Sequence, residues 1–453
     1  MNLTSKASAK KIQDLLLNKI DGLTWYYFEL DLVDRFGEND SVYSDEKEIE
    51  EFFENISTDF FGRSEVVDRE KLKNYSPKEI LKIVITIIRA NPSIMEEVVK
   101  RLFDINAIQN ESDANEGRIG KFNKKDREYR NRIYKKKISE GHRADPNNVT
   151  ILAEGDSWFQ FPRVYLKIDP ITDIIDWLMK EDSYAIASLA AGGDWFSNIF
   201  HSGEYIEELP KVSPDVFLLS GGGNDLVGSN RLAVMVRNER LEGLRDLSDE
   251  KMKKLINRRE KSYNNRPISD YHFDLDKYKK GLEYLGDEFF DFINLYFLQY
   301  FIFFYGLSQS DKYKKLIMIT HGYDYALPYN GNRGFALSIQ RIVNEFLDTG
   351  HWLFEPLNMK GIVNPLDQEA IVYTMITEFN EMMLQLAHSS KLPNLFHIDC
   401  RGVAKDEDDW FDELHLKSEG YEIISRAIKD CIRDNLNKQP PHRNKVYLAH
   451  KYR

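Results

Sequence analysis

Five short apolar runs recur in the C-terminal two-thirds of this chain: residues 149–153 (VTILA), 184–187 (YAIA), 216–219 (VFLL), 316–320 (LIMIT) and 395–398 (LFHI). Each is continuously apolar rather than alternating, the pattern of a strand buried on both faces, and each gap leaves room for a crossover helix. The runs therefore predict an α/β domain over residues 149–438, a parallel sheet flanked by helices. Such sheets collect functional groups where strands end at their C-terminal edge. Here the first run leads into EGDSW (154–158), the second into AAGGD (190–194) and the third into SGGGND (220–225). The fifth leads, after a loop, to DELH (412–415). One edge thus gathers a hydroxyl, close-approach glycines, an amide and an Asp/His pair, which are the parts needed for acyl transfer.

Charge divides the 453 residues into blocks. Residues 1–117 carry 15 Lys and Arg against 24 Asp and Glu, and residues 118–143 carry 11 against 3. This predicts a helical N-terminal module over 1–117, with apolar positions at helical spacing (Ile80, Ile83, Val84 and Ile87) and no catalytic constellation. A basic helical connector over 118–148 follows, and its Phe122, Tyr129, Ile133 and Ile138 are expected to pack as an apolar stripe on a neighbouring domain. The sharper alternative for that connector is a surface helix attracted to anionic lipid headgroups or nucleic acid. Asp145-Pro146-Asn147-Asn148 marks the expected boundary, so a chain beginning near Asp145 is expected to fold and keep its site. Residues 439–453 read as a basic C-terminal tail.

The overall net charge of −12 argues against a nucleic-acid partner. Two cysteines, Cys400 and Cys431, exclude a disulfide framework, and the first twenty residues lack a secretory signal pattern, so a cytoplasmic chain is expected. The stretch FFDFINLYFLQYFIFFYGL (289–307) nearly reaches bilayer length, but its Asp291, Asn294 and Gln299 favour a helix packed on the sheet. No metal-ligand spacing and no nucleotide-binding glycine motif occurs.

Taken singly, each polar segment is ordinary turn chemistry; four in order, each after an expected strand, are specific. Together they resemble the four blocks of the SGNH hydrolases, also called GDSL esterases and lipases. GDSW (155–158) resembles the nucleophile block, SLAAGGDW (188–195) the glycine block, GGND (222–225) the third and DELH (412–415) the closing Asp-x-x-His, over residues about 149–435. The resemblance implies a flavodoxin-like hydrolase domain and a carboxylic ester hydrolase that needs no cofactor. It implies Ser157 as nucleophile, His415 as general base and acid, and Asp412 as its orienter. The oxyanion hole would be the backbone N–H of Ser157 and of Gly193 together with the side-chain amide of Asn224. Asp156 is expected to satisfy local backbone donors.

The sequence departs from the family in Trp158, after the nucleophile, and in Asp194-Trp195. Trp158, Trp195, Tyr323 and Asp324 are candidate substrate contacts; of the residues that end the fourth run, His321, Tyr323 and Asp324 either face substrate or merely finish a strand and turn. Insertions at 229–280 and 329–372 are expected to form lids or pocket walls. The aromatic load at Trp158, Phe159, Phe161, Trp195, Phe196 and Trp352 favours an acyl chain, hence lipid or phospholipid hydrolysis. The runner-up is a carbohydrate O-deacetylase, and the non-enzyme alternative is a binding module that keeps the fold. The N-terminal module is read as a regulatory or partner-docking device, with peripheral membrane contact through the connector.

Overall fold

The apolar runs form strands with every residue buried: β1 (Val149–Glu154), β2 (Tyr184–Ser188), β3 (Val216–Leu219), β4 (Ile317–His321) and β5 (Leu395–Asp399). With β6 (Val446–Leu448) they make one six-stranded sheet in the order β2-β1-β3-β4-β5-β6, parallel throughout. The computed structural model describes residues 117–161, 171–228, 231–265, 273–328, 352–436 and 444–453. The expected N-terminal module, Gly117 apart, lies outside the described residues.

The sheet is accompanied by helices α1 (Gly117–Ser139), α2 (Ile174–Met179), α3 (Phe196–Ser202), α4 (Glu204–Val212), α5 (Gly223–Val227), α6 (Glu250–Asn264), α7 (Leu275–Tyr284), α8 (Asp287–Gln309), α9 (Pro365–His388) and α10 (Ser418–Asn435). Further short helical segments lie at Arg231–Met235, Glu239–Glu242 and Phe354–Met359. Because β1 sits between β2 and β3, the connections leave it in opposite directions. That switch point opens a crevice beyond the C-terminal ends of β1 and β3.

Three features differ from the sequence reading. The basic tail is part of the sheet: β6 pairs with β5 in the register His397↔Val446 to Asp399↔Leu448, and Tyr447 is buried. A three-residue strand among basic neighbours is too short to signal itself by periodicity. The connector helix α1 is likewise integral, but it packs through a polar face. Tyr129 is 40% exposed, whereas Asn123, Asp126 and Arg130 are buried; the side chain of Phe122 lies outside what is described. Asn131 pairs its amide with both the N–H and C=O of Ser188 (2.9 Å each), so a side chain completes the edge strand β2. Arg130 reaches Asp173 (2.5 Å), Asp176 (3.0 Å) and the carbonyl of Phe159 (2.5 Å). The boundary expected near Asp145 therefore falls inside a packed unit.

Helix α8 is long and apolar enough to cross a bilayer by length and composition, yet 67% of that stretch is buried in the protein. Its Tyr300 stacks on Phe196 with ring centroids 3.8 Å apart and donates to the carbonyl of Gly221 (2.8 Å). The helix expected to pack on the sheet does so. Insertion helix α6 docks by charge: Arg259 forks onto Glu378 of α9 (2.6 and 2.8 Å), both fully buried.

Candidate active site

The turn that carries Ser157 follows from a close approach between two strand ends. A Cβ on Gly155 would stand 2.6 Å from Ser220 Cβ and 2.7 Å from the Ser220 carbonyl, so only glycine lets β1 finish beside β3. Asp156 then ties the turn down. It accepts from the N–H of Trp158 (3.0 Å), the hydroxyl of Ser220 (2.7 Å) and the hydroxyl of Tyr323 (2.5 Å). The local role read for Asp156 holds, with two hydroxyls from just beyond the ends of β3 and β4 added to it.

Ser157, Asp412 and His415, 255 residues apart in sequence at the first step, meet at this edge. His415 Nδ1 donates to Asp412 Oδ2 (2.8 Å), which leaves Nε2 as an acceptor, and Ser157 Oγ lies 2.7 Å from it. Asp412 also accepts from the backbone N–H of Leu414 and of His415 (2.8 Å each). An antiparallel bridge between Trp410 and Leu416 closes this loop. The imidazole is backed edge-on by Phe161 (centroids 5.0 Å) and Trp352 (6.0 Å). Glu413 accepts from the N–H of Leu353 and of Phe354 (2.8 and 3.1 Å), fastening the second insertion to the histidine loop.

Gly193 adopts φ 83°, a left-handed conformation that glycine takes at no cost. Among the described residues the N–H groups of Ser157 and Gly193 donate to no protein acceptor. Asn224, at the start of α5, uses one side-chain N–H on the carbonyl of Asp194 (2.9 Å). Asp225 holds the third and second segments together: it accepts from the N–H of Phe196 (2.6 Å), the N–H of Ser197 (3.1 Å) and the hydroxyl of Tyr296.

A recess adjoins these groups; counted together with the open solvent at its mouth, it measures about 570 Å³. Ser157, Asn224 and His415 stand on its wall, and so do Trp158, Tyr323 and Asp324. The rest of the lining is mostly aliphatic, including Leu226, Leu232, Leu353, Val372, Met375 and Ile376. Both insertions supply walls, as expected; residues 329–351 lie outside the described part.

The four candidate contacts have structural duties as well. Trp158 stacks on His321 (5.3 Å) and donates its indole N–H to the carbonyl of Leu414 (3.2 Å). Tyr323 bridges Asp156 and the N–H of Gly223 (3.0 Å). Asp324 accepts from the N–H groups of Tyr325, Gly402 and Ala404, and burial still pushes its carboxyl up to about 6. Trp195 does not line the recess: it is 2% exposed, with the Arg231 guanidinium 5.0 Å from its ring. His321 finishes its strand, with Nδ1 donating to the carbonyl of Gly322 (2.7 Å) and its pKa lowered by burial. Of the six aromatic side chains read as acyl-chain contacts, only Trp158 lines the recess; Phe159 and Phe196 belong to the core. Among the described residues no cluster of three or more His, Cys, Asp or Glu is arranged to hold a metal ion.

No protein-family model matches the chain. No curated protein matches it either. Sequence reasoning missed Asn123, whose amide bonds both the N–H and the C=O of Gly192 (2.9 Å each). It also missed the bridging roles of Tyr323 and Asp225. An isolated Asn in a basic helix carries no local signal; Asp225, directly after the oxyanion candidate Asn224, was the one that adjacency marked.

Proposed function

We propose that the chain is a serine ester hydrolase of SGNH type acting on esters with an extended aliphatic acyl group, lipids or phospholipids first among them. The observation that carries this reading is the chain of hydrogen bonds from Ser157 Oγ through His415 to Asp412. The strand order 2-1-3-4-5, extended by β6, is the flavodoxin-like one. In this mechanism Ser157 Oγ attacks the acyl carbonyl while His415 Nε2 takes its proton, and Asp412 stabilises the resulting imidazolium. The tetrahedral oxyanion would lie against the N–H groups of Ser157 and Gly193 and the remaining N–H of Asn224. Collapse expels the alcohol, which takes the proton back from His415, and water repeats the cycle to release the acid.

The acyl preference rests on the aliphatic recess. Burying a methylene is worth about 0.8 kcal/mol, so each carbon that enters should raise kcat/KM by up to severalfold. The test is hydrolysis of p-nitrophenyl esters from acetyl to decanoyl, with fluorophosphonate labelling in parallel. The expected outcome is a preference for longer chains, with turnover and labelling both lost in Ser157→Ala while its melting temperature stays within a few degrees. Labelling that survives Ser157→Ala would remove the nucleophile assignment. Acetyl esters preferred over all longer ones would favour the O-deacetylase instead.

A further inference from the structure

The oxyanion donor Gly193 N–H shares one peptide plane with the carbonyl of Gly192. A trans peptide points its C=O and its N–H in opposite directions, so whatever fixes the carbonyl also fixes the direction of the N–H. The carbonyl of Gly192 accepts from Asn123 Nδ2 (2.9 Å), and the N–H of Gly192 donates to Asn123 Oδ1 (2.9 Å). One amide therefore grips this residue from both sides. Asn123 is itself held from the nucleophile loop: Gln160 Nε2 donates to its backbone carbonyl and to its Oδ1 (3.1 Å each). All of this is buried, with Asn123 3% exposed and Gln160 fully enclosed. Gly193, left-handed and lacking a side chain, has little stiffness of its own to resist rotation of that peptide.

We propose that Asn123 is a positioning residue for the oxyanion hole, aiming the Gly193 N–H through the Gly192 carbonyl. The proposal rests on the hydrolase reading above. It makes α1 part of the catalytic apparatus, although it lies upstream of all four motif segments. Accepting a hydrogen bond at the carbonyl also polarises the peptide, which strengthens the N–H donor at its other end. The same helix carries an internal control. Asn131 makes the equivalent two-bond grip on Ser188, a strand residue with no oxyanion role.

The experiment compares full-length wild type, Asn123→Asp, Asn123→Ala and Asn131→Ala by kcat and KM on p-nitrophenyl butyrate, fluorophosphonate labelling rate and melting temperature. Asn123→Asp keeps the shape and the acceptor for Gly192 N–H but removes the donor to the Gly192 carbonyl. Both Asn123 variants should lose about 10-fold or more in kcat and in labelling rate, short of the ~10²–10³ for losing a donor outright, with KM within about twofold. Asn131→Ala should lower the melting temperature and leave kcat near wild type. If kcat is unchanged in a folded Asn123→Asp, or falls equally in Asn131→Ala, the proposal is overturned. A wild type that neither turns over nor labels removes the hydrolase reading and this proposal with it; an active wild type with an unaffected Asn123→Asp removes this proposal alone.

Discussion

Asn224 commits one side-chain N–H to the Asp194 carbonyl at 2.9 Å, which fixes the plane of the amide; in the proposed mechanism the other N–H is left for substrate. If it serves the oxyanion, Asn224→Ala should lower kcat by roughly 10²–10³-fold with a smaller change in KM, measured on a soluble short-chain ester. A change confined to KM would mean that it only holds substrate. The neighbouring polar groups work differently. Asp156 accepts from three donors, two of them in other segments, and Asp225 from four, all in other segments, so both carboxylates hold the loops around Ser157 and Asn224 in register. Tyr323 does both things that its position allowed: it lines the recess, and its hydroxyl links Asp156 to the Gly223 N–H.

Helix α1 is the element whose role changed most between sequence and structure. Its cations suggested solvent or lipid, yet Arg130 is buried between Asp173 and Asp176, and Lys137 Nζ donates to the carbonyls of Glu181 and Tyr184 (3.1 and 2.8 Å). Taking away one partner of a buried ion pair leaves the other charge uncompensated. Arg130→Ala should therefore cost about 3–5 kcal/mol in urea unfolding, whereas Lys136→Ala, whose charge is exposed, should cost under about 0.5 kcal/mol. Equal effects would show that Arg130 is not the anchor. A chain starting near Asp145 loses all of these bonds at once and is expected to aggregate, contrary to the modular boundary that composition suggested.

Across the molecule, the buried carboxyls make stability depend on pH in an unusual direction. Burial pushes Glu154, at the end of β1, up to about 8 and Asp324 up to about 6. In the unfolded chain both release their protons in the ordinary carboxylate range. Between that range and about pH 8 the folded state binds more protons than the unfolded one, so stability falls as pH rises and levels off above. Glu154→Gln should flatten the slope of melting temperature against pH between pH 5 and 8 and be more stable than wild type near pH 8, each unit of displacement being worth about 1.4 kcal/mol. Identical slopes in calorimetry would show that Glu154 ionises normally. A second buried network acts at the same scale: Arg259, Glu378, Glu381, Arg401 and Asp399 lock α6, α9 and the end of β5 together, and burial pushes the Glu378 carboxyl well above the usual carboxylate range.

The amino-acid sequence by itself determined five of the six strands, because a strand buried on both faces must be continuously apolar and these runs are short and end in polar or Gly-rich sequence. It also determined the four polar segments at their ends, since tight turns and catalytic groups demand particular residue types within a few positions. What it left open depends on contacts far apart in the chain. A short edge strand such as β6 is stabilised by its neighbour rather than by its own pattern. A polar helix face such as that of α1 is buried only because β2 and the glycine loop offer matching donors and acceptors. The aliphatic wall beside Ser157 combines residues from helices and insertions more than a hundred positions apart, and its make-up follows from how those elements pack on one sheet edge. Local pattern selects an element; only the partner that removes its groups from water decides which of its faces is inside.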